Sequence, residues 1–252
     1  ENSEEVSALK IRIKFRKQGA MKFIGHLDVM RYFQKAMRRA DVDIRYSEGF
    51  SPHQIMSFAA PLGVGLTSNG EYLDIEVNSS GSSSEMVQRL NAVMADGFEV
   101  LSFHRLPDEA KNAMSLVEAA DYTLAFRAGY EPEDLDGFFH GLLRFYDQEQ
   151  ILVTKKTKKG EKELDIRPLV YDLSIVKDSS DSHAPVNFAD FKRPLIYLRV
   201  STGSSNNLKP EMFLQAYCEQ AGFTYSPFTF EIQREEVYGP GFHALDSYGE
   251  AL

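Results

Sequence analysis

The sequence predicts an α+β protein made of two tandem ferredoxin-like subdomains, each with the element order β-α-β-β-α-β and an antiparallel sheet. Two observations predict this fold. Stretches in which apolar and polar residues alternate are interleaved with stretches of helical spacing, and the same order of elements occurs in both halves. The 252 residues accommodate two domains of about 120 residues each. The expected parts are a disordered leader (1–8), a first domain (9–107), a linker (108–120), a second domain (121–236) and an irregular tail (237–252).

The first half is predicted to begin with a strand and a helix. Leu9–Phe15 alternates apolar with basic residues, which indicates a half-buried strand with a basic solvent face. His26–Ala40 has the spacing of an amphipathic helix with a basic outer face, and its apolar stripe begins at Leu27. The elements expected next are an irregular strand or strand–loop–strand over Ile44–Phe58, a strand over Glu71–Val77, a helix capped by Ser82, and a strand over Phe98–Phe103.

The second half is predicted to repeat this order. A strand over Asp121–Arg127 precedes a helix over Glu131–Tyr146, with Pro132 near its first turn. A hairpin-like pair, Ile151–Thr157 and Glu163–Ile166, surrounds the turn at Gly160. The remaining elements are strands over Leu169–Val176 and Leu195–Val200, a helix over Pro210–Ala221 that Gly222 ends, and a strand over Phe228–Gln233.

The composition excludes several classes of function. The single cysteine, Cys218, excludes an internal disulfide framework, a self-contained iron–sulfur cluster and a Cys-rich zinc site, and its apolar helical neighbours predict a core position. No run of about 18 apolar residues is present, so no transmembrane helix is expected and we expect a cytoplasmic protein. There is no Walker-type loop, GxGxxG fingerprint or GxSxG elbow, hence no strong catalytic motif, and no cofactor is expected.

The charge is unevenly distributed. The net charge is −9, yet residues 10–60 hold eleven Lys or Arg and four Asp or Glu, a local excess of +7. Such basic elements can follow a phosphate backbone, with Tyr46, Phe50 or Tyr72 stacking on bases, or they can be ordinary solvated faces. The three predicted basic strips are Lys10, Arg12 and Lys14, continued by Arg16; Arg31, Lys35, Arg38 and Arg39; and Lys155, Lys156, Lys158, Lys159 and Lys162.

A few other side chains could carry chemistry. His26 and Asp28 lie at the start of the first predicted helix, where either could cap it, and His53 follows the turn at Gly49. The three could also serve as an acid–base pair or bind a metal, but their spacing matches no strong metal signature, so no metal is expected. Asp165 and Arg167 lie two residues apart and share a side if they are in a strand, where Arg167 could clamp a phosphate or form a local ion pair.

Six strings of residues stand out together. They are Phe23–Arg31; Arg38–Ala40; Tyr46–His53, which includes Gly49, Phe50 and Pro52; Ser57–Ala59; Glu71–Asp74, which includes Tyr72; and Lys159–Pro168, which includes Asp165. They resemble the bacterial radical-SAM-linked protein family, a domain of unknown function found fused to or encoded beside radical-SAM proteins with a cobalamin-binding-type region. The resemblance implies a radical-SAM partner that holds the cluster, since a CxxxCxxC motif is absent here. The family's genes, near those for RNA processing and ribosomal proteins, imply a link to RNA.

Three functional hypotheses remain. The first is a non-catalytic accessory protein that binds RNA (tRNA or rRNA) and presents it to a radical-SAM enzyme for modification. The second is an RNA-processing or RNA-modifying enzyme in which His26 or His53 is a general acid/base and Arg31, Arg39 or Arg167 stabilises phosphate. The third is a module that docks the radical-SAM partner through the loops around Gly49–Pro61 and binds no nucleic acid. None of them involves a membrane.

Overall fold

The structure, a computed structural model, describes residues 8–157, 160–191 and 194–252. Lys158, Lys159 and all of the expected leader except Ala8 lie outside these ranges. The chain divides into two units, of which the first joins the residues up to Glu118 with Glu236–Leu252 and the second is Ala119–Glu235. The second unit is therefore inserted into the sequence of the first.

The helices and strands follow one another in the predicted mixed order. The elements up to Glu118 are β1 (Leu9–Lys17), α1 (His26–Arg39), β2 (Met56–Phe58), β3 (Thr67–Val77), α2 (Ser83–Asn91), β4 (Phe98–Arg105) and α3 (Ala113–Leu116). Those after it are β5 (Ala119–Phe126), α4 (Leu135–Tyr146), β6 (Leu152–Thr157), β7 (Gly160–Asp165), β8 (Val170–Val176), β9 (Leu195–Ser201), α5 (Pro210–Ala221), β10 (Phe230–Tyr238) and β11 (Glu250–Ala251).

The first unit is built around β1, which lies between β3 and β4 and is antiparallel to both. β2 pairs antiparallel with β3, and β11 with β4. The apolar residues of β1 pack against α1 and α2, and the ring of Phe15 lies 4.6 Å from that of Phe33 on α1 and 6.1 Å from that of Phe58. Ser82 caps α2 as predicted, because its Oγ accepts a hydrogen bond from the Glu85 amide.

In the second unit, β9 lies between β5 and β8 and is antiparallel to both, and β10 lies next to β5. β6 and β7 form a separate two-stranded sheet. The core is aromatic and includes Phe138 on α4 and Tyr217 on α5, whose rings lie 5.0 Å apart. Cys218 is buried there, which confirms its predicted core position. The α+β fold with mostly antiparallel pairing is also confirmed, whereas the ferredoxin-like assignment stays a prediction.

The structure differs from the sequence-based expectations in several details. β3 begins at Thr67 instead of Glu71, because Ser68 pairs with Lys17 of β1. α4 begins at Leu135 instead of Glu131, because Asp134, not the region of Pro132, caps it by accepting from the Gly137 amide at 2.8 Å. Leu27 was predicted to face the core from α1, yet it is 61% exposed. Residues 237–252 contain two 3-10 turns before β11.

None of the helices in the described residues is long and apolar enough to cross a membrane.

Candidate nucleic-acid interface

The outer face of α1 carries the second predicted basic strip. Arg31, Lys35, Arg38 and Arg39 are all exposed, as predicted, because the opposite face of the helix supplies Val29, Phe33, Ala36 and Met37 to the core. Asp28 is also exposed and lies 3.3 Å from Arg31. Arg38 and Arg39 stand in the last turn, where positive charge complements the helix dipole.

A short hairpin-like loop, residues 46–54, lies beside this helix. Tyr46 and Gln54 form an isolated antiparallel bridge, and the Ser47 amide donates to the His53 carbonyl at 2.8 Å. The Ser47 hydroxyl and His53 Nδ1 are hydrogen-bonded at 2.8 Å. Gly49 takes a φ of +108°, a backbone conformation that would be strained in a residue with a side chain. The ring of Phe50 is fully exposed at the tip of the loop, two residues before Pro52.

The loop is fastened to α1 by Gln54. Its Nε2 donates to the carbonyl of Gln34 on α1 at 3.2 Å and to the Tyr46 hydroxyl at 3.4 Å. The hydrogen bond from Gln54, together with the nearby Arg38, lowers the pKa of Tyr46. Helix and loop thus form one surface, which we call the basic–aromatic surface and define as Arg31, Lys35, Arg38, Tyr46 and Phe50.

The first basic strip lies elsewhere and is engaged in internal contacts. Arg12, predicted to face solvent, is 1% exposed and binds both carboxylate oxygens of Asp74, at 2.8 and 2.9 Å, so that expectation is wrong. Lys14 is ion-paired with Glu236 at 2.5 Å and lies 3.5 Å from Asp246. Lys10 and Tyr72 of this region are also held by internal hydrogen bonds.

Lys10 Nζ donates to the carbonyls of Asp108, at 2.5 Å, and Ala110, at 3.4 Å. The hydroxyl of Tyr72 donates to Glu236 at 2.7 Å, and the ring is buried, so it is not placed to stack on a base. Near the C-terminal end of β1, Arg16 is paired with Glu99 at 2.9 Å. This strip therefore stabilises the unit instead of presenting a basic face.

The proposed acid–base residues have structural partners. The His26 ring packs edge-on against Phe58, with the ring centroids 5.2 Å apart, while His53 is held within the loop by Ser47. Among the described residues, no group of three or more His, Cys, Asp or Glu is placed to hold a metal ion.

A cleft of about 420 Å³ lies beside His53 and brings several motif residues together. Its lining includes Lys10, Ser57, Asp74 and Lys111. Asp74 is already occupied by Arg12 and by the Ala113 amide, which donates to it at 2.7 Å. The Asp74 carboxylate therefore has a structural role, since it holds Arg12 of β1 and the first residue of α3, and it is not placed to act as an acid or a base.

The third strip lies on the hairpin of the second unit. Lys155 of β6 is paired in register with Lys162 of β7, and both are exposed, whereas nothing is described of the side chain of Lys156. β7 ends at Asp165, so Arg167 does not share a strand with it as expected.

Asp165 and Arg167 shape the turn after β7, which Pro168 continues. Asp165 accepts hydrogen bonds from the amides of Ile151 and Arg167, both at 3.0 Å. The Arg167 guanidinium donates to the Val170 carbonyl at 3.0 Å and lies over the Tyr146 ring at 4.1 Å. A structural role therefore accounts for both side chains.

Sequence reasoning missed a Ser–His–Asp group in the second unit. His183 Nδ1 is hydrogen-bonded to the Ser174 hydroxyl at 3.1 Å, and its Nε2 lies 3.8 Å from Asp172. The His183 ring also stacks on Tyr197, with centroids 3.8 Å apart. A 3.8 Å separation is too long for the hydrogen bond that orients a catalytic histidine, so the residue types of a triad occur here without its geometry.

A family model described as an uncharacterized protein conserved in bacteria, DUF2344, matches residues 10–210. The chain belongs to this family. No curated protein matches it. The DUF2344 match includes α1, the 46–54 loop and the β6–β7 hairpin, while the family description names no activity, ligand or partner.

In this DUF2344 protein the predicted binding residues separate into two kinds. Arg31, Lys35, Arg38, Tyr46 and Phe50 are exposed, and a hydrogen bond attaches the loop that carries Tyr46 and Phe50 to α1. Arg12, Lys14, Tyr72, Asp165 and Arg167 are held by internal contacts. The basic–aromatic surface is therefore the strongest candidate for recognition of a ligand.

Proposed function

We propose that the protein is a non-catalytic accessory protein that binds single-stranded regions of RNA, in tRNA or rRNA, and presents them to a radical-SAM enzyme. The observation that supports the RNA-binding part is the basic–aromatic surface of the first unit. It combines three exposed cations at helical spacing, Arg31, Lys35 and Arg38, with the fully exposed ring of Phe50.

This combination suits RNA with unpaired bases. Cations along a helix can follow consecutive phosphates, and an exposed aromatic ring can stack on a base that is not paired. The loop that carries Phe50 is held by Gln54 and Ser47, so its position relative to α1 is set before any ligand binds. A preorganised loop lowers the entropy that binding must offset.

The radical-SAM partner is proposed from the family resemblance, and the cysteine content supports it. A cluster of that type needs several thiolates, and this chain has one cysteine, Cys218, which is buried. The cluster and the radical chemistry would therefore belong to the partner, and this chain would contribute RNA binding. tRNA modification is the reaction class that this division of labour suggests.

Docking without RNA is a second candidate, and one observation favours it. Phe23, Leu27 and Val64 are each more than 60% exposed near the start of α1, where the Gly65 amide donates to the Lys22 carbonyl at 2.7 Å. Exposed apolar side chains that lie near one another often mark a protein interface. Co-purification with the radical-SAM protein in an RNA-free complex would support this candidate.

We also propose that both units are ferredoxin-like. In each unit, the first strand of the β-α-β-β-α-β order lies between the fourth and the third strands, and the second strand pairs with the third. The strand order is β4-β1-β3-β2 in the first unit and β10-β5-β9-β8 in the second. The β6–β7 hairpin would then be an insertion between α4 and β8. This arrangement occurs in many RNA-binding proteins.

The RNA-binding proposal is tested by fluorescence anisotropy with total tRNA and with a labelled single-stranded RNA at several salt concentrations. Replacing Arg31, Lys35 and Arg38 together by Ala removes three cations, so we expect at least tenfold weaker binding. The slope of log K against log salt should fall by about 2, since each single-strand phosphate contact contributes about 0.7.

Two further variants sharpen the test. Phe50→Ala should weaken binding through loss of stacking, by about 1–3 kcal/mol, and leave the salt slope unchanged. A matched control replaces three exposed cations of the second unit, Arg144, Lys177 and Lys209, by Ala and should change affinity far less. Wild-type protein that shows no salt-dependent RNA binding would overturn the proposal.

A further inference from the structure

A second cleft, of about 610 Å³, opens at the C-terminal end of α1. Its lining includes Arg38 and Tyr46, which also belong to the basic–aromatic surface, together with Asp43, Ile44 and Met86. An RNA strand bound along the basic–aromatic surface would therefore pass the mouth of the cleft. The residues that line the cleft determine which part of the RNA strand could enter it.

One carboxylate in the cleft is held in a fixed orientation. Asp43 Oδ1 accepts a hydrogen bond from Asn78 Nδ2 at 2.9 Å, and its Oδ2 accepts one from the Ser79 hydroxyl at 2.7 Å. These two bonds lower the pKa of Asp43, so it is ionised at neutral pH. Each oxygen retains a further lone pair, and Asp43 is exposed, so it can accept two parallel hydrogen bonds from a ligand.

The rest of the cleft is suited to a flat ring. Tyr46 is 45% exposed and supplies an aromatic wall, whereas Ile44 and Met86, which also line the cleft, are buried. Arg89 is committed to the end of α1, because its guanidinium donates to the Ala40 carbonyl at 2.7 and 3.1 Å. Arg38 is thus the exposed cation at the entrance, where a phosphate attached to the ring would lie.

We propose that this cleft binds an unpaired guanine of the RNA, a specificity that rests on the proposed function. Guanine presents two neighbouring N–H donors on its Watson–Crick edge, N1–H and the N2 amino group, which match the two oxygens of Asp43. Adenine presents one donor beside an acceptor there, and uracil presents one donor between two acceptors. Recognition of an extruded base by edge hydrogen bonds and aromatic stacking is a general mode of RNA binding.

The test compares uridine heptamers that carry one guanosine, inosine or adenosine at the centre. Inosine lacks only the N2 amino group, so it isolates one of the two proposed hydrogen bonds. For the wild type we expect the guanosine heptamer to bind about tenfold more tightly than the other two. Asp43→Asn should remove this preference and leave the affinity for all-uridine RNA unchanged.

Two variants guard against trivial results. Asp96→Asn changes an exposed carboxylate of the same unit outside the cleft and should retain the preference. If Asp43→Asn does not fold, as judged by circular dichroism, Tyr46→Leu replaces it and should reduce the guanosine preference at least threefold. GMP should compete for the guanosine heptamer at lower concentration than AMP.

The outcomes separate this inference from the proposed function. Tight, salt-dependent binding of all heptamers with equal affinity would overturn the guanine site and leave the RNA-binding proposal standing. A guanosine preference that persists in Asp43→Asn would also overturn the site. Absence of binding to every RNA would overturn the proposed function itself.

Discussion

At the scale of single residues, Cys218 shows how burial sets the chemistry of a side chain. Burial raises the pKa of its thiol to about 11, with a smaller contribution from Glu219. The thiolate is the reactive form, so at pH 8 almost no nucleophile is present. We predict that a thiol reagent such as DTNB labels the native protein far more slowly than free cysteine and labels it fully in denaturant. Rapid, complete labelling of the native protein would contradict this.

Tyr72 links the same kind of burial to stability. Burial, followed by the charges of Glu236 and Asp246, raises the pKa of its phenol well above the ordinary value near 10. The folded state therefore keeps a proton that the unfolded state releases above about pH 10. Stability from this group is complete below that pH and falls above it by up to about 1.4 kcal/mol per pH unit.

The measurement is urea unfolding between pH 7 and pH 11. Tyr72→Phe loses the hydrogen bond to Glu236 and should cost about 1 kcal/mol at pH 7. Its stability should then decline less steeply above pH 10 than that of the wild type. Tyr130→Phe, at an exposed position, should reproduce the wild-type slope, and parallel curves for all three proteins would refute the assignment.

At the scale of elements, β1 shows what hydrophobic periodicity can and cannot predict. Alternation correctly predicts a strand and identifies Ile11, Ile13 and Phe15 as its core side. It cannot tell that the other side is covered, because the cover comes from distant segments such as the Lys111 and Leu245 carbonyls, to which Arg12 donates. Local pattern carries no information about such long-range packing.

The Arg12–Asp74 pair gives a stability prediction for this strand. Arg12→Ala leaves the Asp74 carboxylate without its guanidinium, and loss of one partner of a buried pair typically costs about 3–5 kcal/mol. Arg16→Ala, which breaks the more exposed pair with Glu99, should cost less than about 1 kcal/mol. Urea unfolding at pH 7 compares the two variants, and equal losses of unfolding free energy would contradict a structural role for the buried Arg12 pair.

The candidate site was partly predictable for local reasons. The spacing of Arg31, Lys35 and Arg38 is a property of one helix, and Gly49 with Pro52 indicates an exposed turn, so both parts of the surface follow from the sequence. Their adjacency does not, because it depends on the Gln54 side chain reaching the Gln34 carbonyl. Asp43 was missed for the same reason, since Asn78 and Ser79 orient it from another part of the chain.

At the scale of the whole molecule, the first unit is discontinuous in sequence. The partners of Lys14 include Glu236 and Asp246, and Arg12 also donates to the Leu245 carbonyl, all within the Glu236–Leu252 segment. That segment lacks periodicity, which is why the sequence indicates only an irregular tail. Its polar contribution is long-range: Glu236 and Asp246 supply carboxylates to Lys14, and the Leu245 carbonyl accepts a hydrogen bond from Arg12, whose charge Asp74 balances.

This discontinuity predicts which parts of the chain fold. The Glu118 amide donates to the Tyr238 carbonyl at 2.8 Å, so the two ends of the insertion are adjacent in the first unit. Replacing residues 119–235 by a short Gly-Ser linker should therefore give a unit that unfolds cooperatively in urea, because each doubling of loop length changes the closure cost by only about 0.6 kcal/mol. Residues 8–118 alone should not fold cooperatively, since they lack the carboxylates that pair with Lys14. Cooperative unfolding of the 8–118 fragment with a midpoint like that of the linked variant would show that the Glu236–Leu252 segment is dispensable.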